Sequence, residues 1–314
     1  MRRISTATRV VDKFGAGKDG FTNGNAVGGI AATDLEDVWF DHVQEEIANV
    51  VEGAGLTLDA SNRAQLLAAI QTLGGDGQCR LTYTSATVVT LLPENGNALR
   101  IGGSKYTVPS AGVTLSNSGL SASTLYWVYA IVSAGAIALQ ASTTGFTRQS
   151  DGRYTMTGNA SARLVGAVYT NASSQFVSSG TNQNVVSFFN RRALPFNLGG
   201  AGGTTTSTTL TPVNSGTVSC ISFGLDSTAV QFLVNGYSSV SAGSWASGIL
   251  VDGASGASTQ GLATSAAAAQ INNNPSMFSG YLSAGYHTLA GSVNVNTGGG
   301  SITVTGSMIG QTWG

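Results

Sequence analysis

The chain has 314 residues, and its 14 basic and 15 acidic groups make 9% charged residues, where an ordinary soluble domain carries about 25%. A hydrophobic fraction of 42% excludes a disordered chain, and 43 glycines without a period of three exclude collagen. A net charge of −1 gives no electrostatic footing for a nucleic-acid or membrane-surface binder.

Met1 to Val10 hold three arginines and lack the apolar middle of a secretory signal, and no apolar run reaches the length of a spanning helix. The expectation is a protein made in the cytoplasm. Residues 1–32 mix basic groups with turn signals such as Asn23-Gly24 and read as an extended arm. Residues 33–77 read as a helical unit. Thr33-Asp34-Leu35-Glu36 has the capping-box pattern, and Trp39, Val43, Ile47 and Val50 follow on one helical face, with Gly53 and Gly55 as stops. Seven acids and no cation lie between Thr33 and Glu52, so the opposite face is negative. A shorter helix is predicted over Ser61–Leu73 with Leu66, Leu67, Ile70 and Leu73 as its stripe.

From residue 78 the period changes to two. Leu125–Val132 is apolar on both faces, turns at Ser133-Ala134-Gly135 and alternates back through Ile137 and Leu139, a buried hairpin. With short strands near Val88–Leu92, Leu164–Tyr169 and Val185–Phe189, residues 78–193 read as a β-sandwich module, with a small barrel as the other arrangement of such strands. Residues 194–209, Gly- and Thr-rich, read as a linker. Residues 210–314 read as a second β module in which Val293 and Val295 face Ile302 and Val304 across a hairpin. The fold class expected is therefore mainly β, a small helical unit followed by two sandwich- or jelly-roll-like modules.

Charge is segregated: after Arg192 there is no Lys or Arg, and Asp226 and Asp252 are the only charged side chains in 122 residues. Such a surface is Ser, Thr, Asn, Gln and Gly, suited to an uncharged exterior or to sides covered by copies of the same chain. Catalytic patterns are weak. Gly15-Ala16-Gly17-Lys18-Asp19-Gly20 matches a dinucleotide fingerprint in letters but lacks the strand and helix that give it a mechanism. Two histidines, His42 and His287, and the distant Cys79 and Cys220 form no metal set, and the thiols read as buried and reduced. Asp226 and Asp252 could serve as a glycosidase pair only if they faced one cleft, and turn positions are the plainer reading. No catalytic residue, cofactor or metal is expected. Tyr237, Trp245, Tyr281, Tyr286 and Trp313 could stack on sugar rings, although core packing is the commoner use of such aromatics, and Tyr237, Trp245, Tyr281 and Tyr286, with His287, are the candidates for receptor contact.

The run Trp39-Phe40-Asp41-His42-Val43-Gln44-Glu45-Glu46-Ile47-Ala48-Asn49-Val50-Val51-Glu52, with Ala54-Gly55-Leu56-Thr57 and Gln65–Ile70, resembles the N-terminal segment of tailed-bacteriophage tail fibre proteins. Val108–Leu115, Tyr126–Tyr129, Leu164–Phe176 and Ser187-Phe188-Phe189-Asn190-Arg191-Arg192 look like a module of the same proteins, and Gly285–Leu289 is similar to fibre-tip jelly rolls. Gly53 stands where that family more usually has alanine. The resemblance implies a homotrimeric virion protein, assembled in the host cytoplasm, with its N-terminus on the tail or baseplate. Its C-terminal module would then be the adhesin for a host glycan, pilus or outer-membrane protein, with neither nucleic acid nor membrane insertion involved. Trp39, Phe40, Val43, Ile47 and Val50 are the expected adaptor and subunit contacts. The alternatives are a tailspike that cleaves surface polysaccharide and a collar or baseplate subunit without receptor contact.

Overall fold

The computed structural model describes residues 2–54, 56–73, 75–213, 217–255, 261–264, 271–297 and 299–314. The chain divides into two compact units, Met1–Gly75 and Asp76–Gly314, and is mainly β.

In the first unit the arm is pinned rather than extended. The backbones of Val10 and Gly20 exchange hydrogen bonds at 2.9 Å, and Arg9 Nε holds Asp19 Oδ2 at 2.5 Å. The predicted capping box is replaced by contacts to this arm. Thr33 Oγ1 accepts the Thr22 amide at 2.9 Å, and Glu36 accepts the Ser5 amide at 3.0 Å and faces Arg2 at 3.3 Å. With those side chains engaged elsewhere, helix α1 begins at Asp37 and runs to Gly53, and its N-cap Glu36 makes no side-chain cap bond. Gly53, expected as the stop, is the last helical residue; Gly55 lies outside the described residues. Helix α2 spans Gln65–Leu73, later than the predicted Ser61, because Asp59 and Asn62 accept local amides of Ser61 and Ala64 and hold a turn there.

The second unit opens with an antiparallel sheet of Cys79–Ser85, Val88–Pro93 and Val113–Ser116. Beside it lies a six-stranded sheet centred on Leu125–Ser133 and Asn159–Tyr169. The buried hairpin forms as read: Ser133 pairs with Ala136, and Ala134 and Gly135 take positive φ of 48° and 79°, the two left-handed positions of a tight turn. The two sheets share a core containing Leu81, Leu91, Leu99, Val128, Val165 and Phe176.

Two further sheets form a sandwich. One is built around Val218–Phe223, Ala284–Thr297 and Ser244–Val251, the other around Ala193–Thr205, Ile302–Trp313 and Ser227–Ser238. Strand Ser227–Ser238 alternates buried and exposed along nearly its whole length, and Trp245, Phe232, Ile249 and Leu289 lie in the core between the sheets.

Two expectations are corrected here. Residues 194–209 are not a linker: Ala193–Thr205 runs antiparallel to Ile302–Trp313, from Ala193↔Trp313 to Thr205↔Ile302, with a register shift between Leu198 and Ala201 and Gly200 at φ 72°. Small residues that look flexible in sequence are ordered by an edge ladder that asks only for backbone groups. Nor do Ala284–Thr297 and Ile302–Trp313 form a hairpin. They belong to different sheets, so the glycine turn, with Gly299 and Gly300 at φ 66° and 74°, is a corner from one sheet to the other. Val293, Val295, Ile302 and Val304 do meet, as side chains across the sandwich core rather than as hydrogen-bonded partners.

The sandwich is not insulated from the sheets before it. Asn182–Gln183 pairs parallel with Val218–Phe223, and buried Gln183 donates to the Leu194 carbonyl at 3.0 Å and accepts from Thr312 Oγ1. Trp127, Tyr129, Leu164 and Val186 form one core with Ile221 and Phe223.

Candidate functional site

Five residues expected as receptor contacts occupy very different places. Trp245 is 0% exposed, locked in the sandwich core, and His287 is 6% exposed, so the contact role expected for both is withdrawn. Trp245 alternates inward on a strand buried on both faces, which the sequence pattern alone does not distinguish from display. Tyr286 stacks on Tyr169 with centroids 3.7 Å apart and is half-buried. Tyr237 is half-buried, and Tyr281 is 71% exposed, the one aromatic of the five that stands free in solvent.

His287 is held from two sides. Its Nδ1 lies 2.8 Å from Asp252 Oδ2 and its Nε2 2.9 Å from the Ser283 carbonyl. A ring nitrogen on a backbone carbonyl has no lone pair to offer a serine hydroxyl, so this pair is not the histidine–aspartate half of a triad. Asp252 sits in the Asp252-Gly253 turn at φ 53°. Burial pushes its carboxyl up, but the Thr288 amide at 2.8 Å and His287 together outweigh that and hold it below the usual carboxylate range. Asp226 is engaged separately, by Arg191. Asp226 and Asp252, weighed as a glycosidase pair only if they faced one cleft, are thus each bound to a separate basic side chain. No group of three or more metal-ligating side chains occurs among the described residues.

The adaptor residues are only partly covered. On α1, Trp39, Val43 and Val50 are half-buried, while Phe40 and Ile47 are 47% and 45% exposed, and only Val51 is buried. On α2, Leu66, Leu67 and Ile70 of the predicted stripe are exposed and Ala69 is buried instead, while the Leu73 side chain lies outside the described residues. Trp39 packs edge-on against Phe21 at 5.1 Å, and around this pair lies a cavity of about 470 Å³ lined by Arg2, Arg3, Phe14 and Asp19. The arm's aromatic residues escaped the sequence reading because Phe14 and Phe21 sit in turn-rich sequence without a period. Their spacing about the basic residues was the available signal.

No transmembrane-length apolar helix occurs among the described residues. No protein-family model matches the chain. A curated relative, the uncharacterized protein StfP of Escherichia coli (strain K12), is 52% identical over 73 residues, 23% of this chain and 35% of that protein. The chain therefore matches about a third of that relative's length. Solved structures with distant likeness include the insecticidal delta-endotoxin Cry8Ea1 of Bacillus thuringiensis, 10% identical over 75% of this chain and 52% of that one with a TM-score of 0.25. The infectious bursal disease virus Gt strain structure is 14% identical over 76% and 74% of the two chains with a TM-score of 0.26. Neither score is high enough for the likeness to assign a fold.

Proposed function

We propose that this chain is a homotrimeric phage tail fibre protein whose N-terminal unit docks on the tail or baseplate and whose C-terminal sandwich binds the host cell surface. The observation that carries the reading is the N-terminal unit itself. In 75 residues it leaves Phe14, Ile30, Phe40, Ile47, Leu67 and Ile70 exposed, more apolar surface than so small a unit keeps in water without a partner. The tail-fibre resemblance of Trp39–Glu52 lies in this same unit. The sandwich supports the display role: it is ordered through its own core, and its two carboxylates are both engaged by basic partners. Tyr281 is the residue of that module best placed to meet a receptor.

The polysaccharide-cleaving alternative has less support, because Asp226 and Asp252 are each satisfied by a different basic side chain. Light scattering on the purified chain tests the assembly: a trimer at micromolar concentration is expected, and a monomer would sink the reading. Virions carrying Tyr281→Asp, a change at an exposed side chain outside the shared core, should adsorb poorly. Normal adsorption by that variant would count against the receptor role and favour a collar or baseplate subunit.

A further inference from the structure

We propose that the aromatic cavity of the N-terminal unit is the socket of a subunit contact, and that its occupant is the acidic ridge of α1 from a second copy of this chain. This rests on the homotrimer reading above and says how neighbouring subunits meet. The socket is apolar at its centre, where Phe21 and Trp39 pack edge to face beside buried Ile4, and cationic at its rim, where Arg3 stands exposed. The acids nearby are already neutralised: Asp19 is held by Arg9 and Glu36 faces Arg2.

The complementary surface is on the same helix. Asp37, Asp41, Glu45 and Glu52 are all exposed. At 100° per residue they lie within a sector about 80° wide, roughly 120–160° around the helix from Trp39. Exposed Val38 flanks that sector. One copy therefore carries the socket on one side of α1 and the ridge on the other. Such a contact cannot close as a symmetric pair in which one patch meets itself. It is head-to-tail, and with three copies it closes as a ring, each socket taking the next subunit's ridge. Charge sets the register and the apolar centre supplies most of the affinity.

Cysteine cross-linking of the full chain tests this. Arg3→Cys is combined in turn with Asp37→Cys, Asp41→Cys, Glu45→Cys or Glu52→Cys, with Arg3→Cys plus Asp59→Cys as control. Native Cys79 and Cys220 do not compete, since burial pushes both thiols up to about 12. At least one ridge pair should oxidise to a dimer–trimer ladder on a non-reducing gel at about ten times the yield of the control. If light scattering shows a trimer but no ridge pair exceeds the control, the socket assignment is overturned and the trimer stands. A monomer overturns both.

Discussion

Tyr169 and Tyr286 stack face to face, with ring centroids 3.7 Å apart and planes 12° from parallel. Tyr169 ends strand Asn159–Tyr169 of the six-stranded sheet, whereas Tyr286 belongs to strand Ala284–Thr297 of the sandwich. The stack therefore ties together two regions that the sequence divides into separate modules. Burial pushes the Tyr286 hydroxyl up.

This junction should make Asp76–Gly314 unfold in one step. Tyr286→Ala removes the stack and its apolar area and should cost roughly 2–4 kcal/mol. Differential scanning calorimetry should show a single transition for this unit in the parent chain and a lower or split one in the variant. Two transitions in the parent would contradict the shared core.

Asp252 sets an acid limit on the sandwich. Its carboxyl is held below its ordinary value in the folded chain, so its contribution is present above the unfolded value and is lost as pH falls through the lower, folded one. The window lies below about pH 4. Asp252→Asn should cost about 1 kcal/mol at neutral pH, a figure kept small because the side chain is 49% exposed, and should flatten the stability curve in that acid range. Urea unfolding at pH 3 and pH 7 gives the comparison, and an unchanged slope would count against a carboxyl held low by the Thr288 amide and His287.

Arg163 is buried with its guanidinium 3.3 Å from Asp76 and its charge over the Phe189 ring at 5.1 Å. Asp76→Asn strands that cation and should cost roughly 2 kcal/mol. Arg163→Met in the same background should recover part of the loss, because the variant no longer buries a charge. Additive losses in chemical denaturation would show that the two side chains do not interact.

Two glycines should respond in opposite directions. A Cβ on Gly306 would sit 2.2 Å from the Leu233 carbonyl oxygen, an atom of the neighbouring strand's backbone, so Gly306→Ala should destabilise by more than about 2 kcal/mol. Gly53 is helical with open space around its Cβ position, so Gly53→Ala should stabilise the N-terminal unit by roughly 0.5–1 kcal/mol. Thermal melts followed by circular dichroism separate the two signs.

The sequence by itself determined the elements with a strong local signal. The apolar run Leu125–Val132, its turn at Ala134-Gly135 and its return strand are specified within one short stretch of chain, and so is the helical period from Trp39 to Val50. The segregation of charge also lies in the sequence alone, because it needs no fold to be counted. Tertiary structure decided everything that depends on distant partners. Whether Thr33 and Glu36 cap a helix or tie down the arm turns on residues such as Ser5 and Thr22, and the arm wins because it supplies donors as good as the helix's own amides. Strands of bulky residues declare themselves by alternation, but the small residues of Ala193–Thr205 reveal their ladder only when the distant strand Ile302–Trp313 lies beside them. The same distance hides the corner at Gly299-Gly300: alternation says which side chains face inward, yet a hairpin and a sandwich corner bury the same valines, and only the hydrogen-bond partners of Ala284–Thr297 separate them.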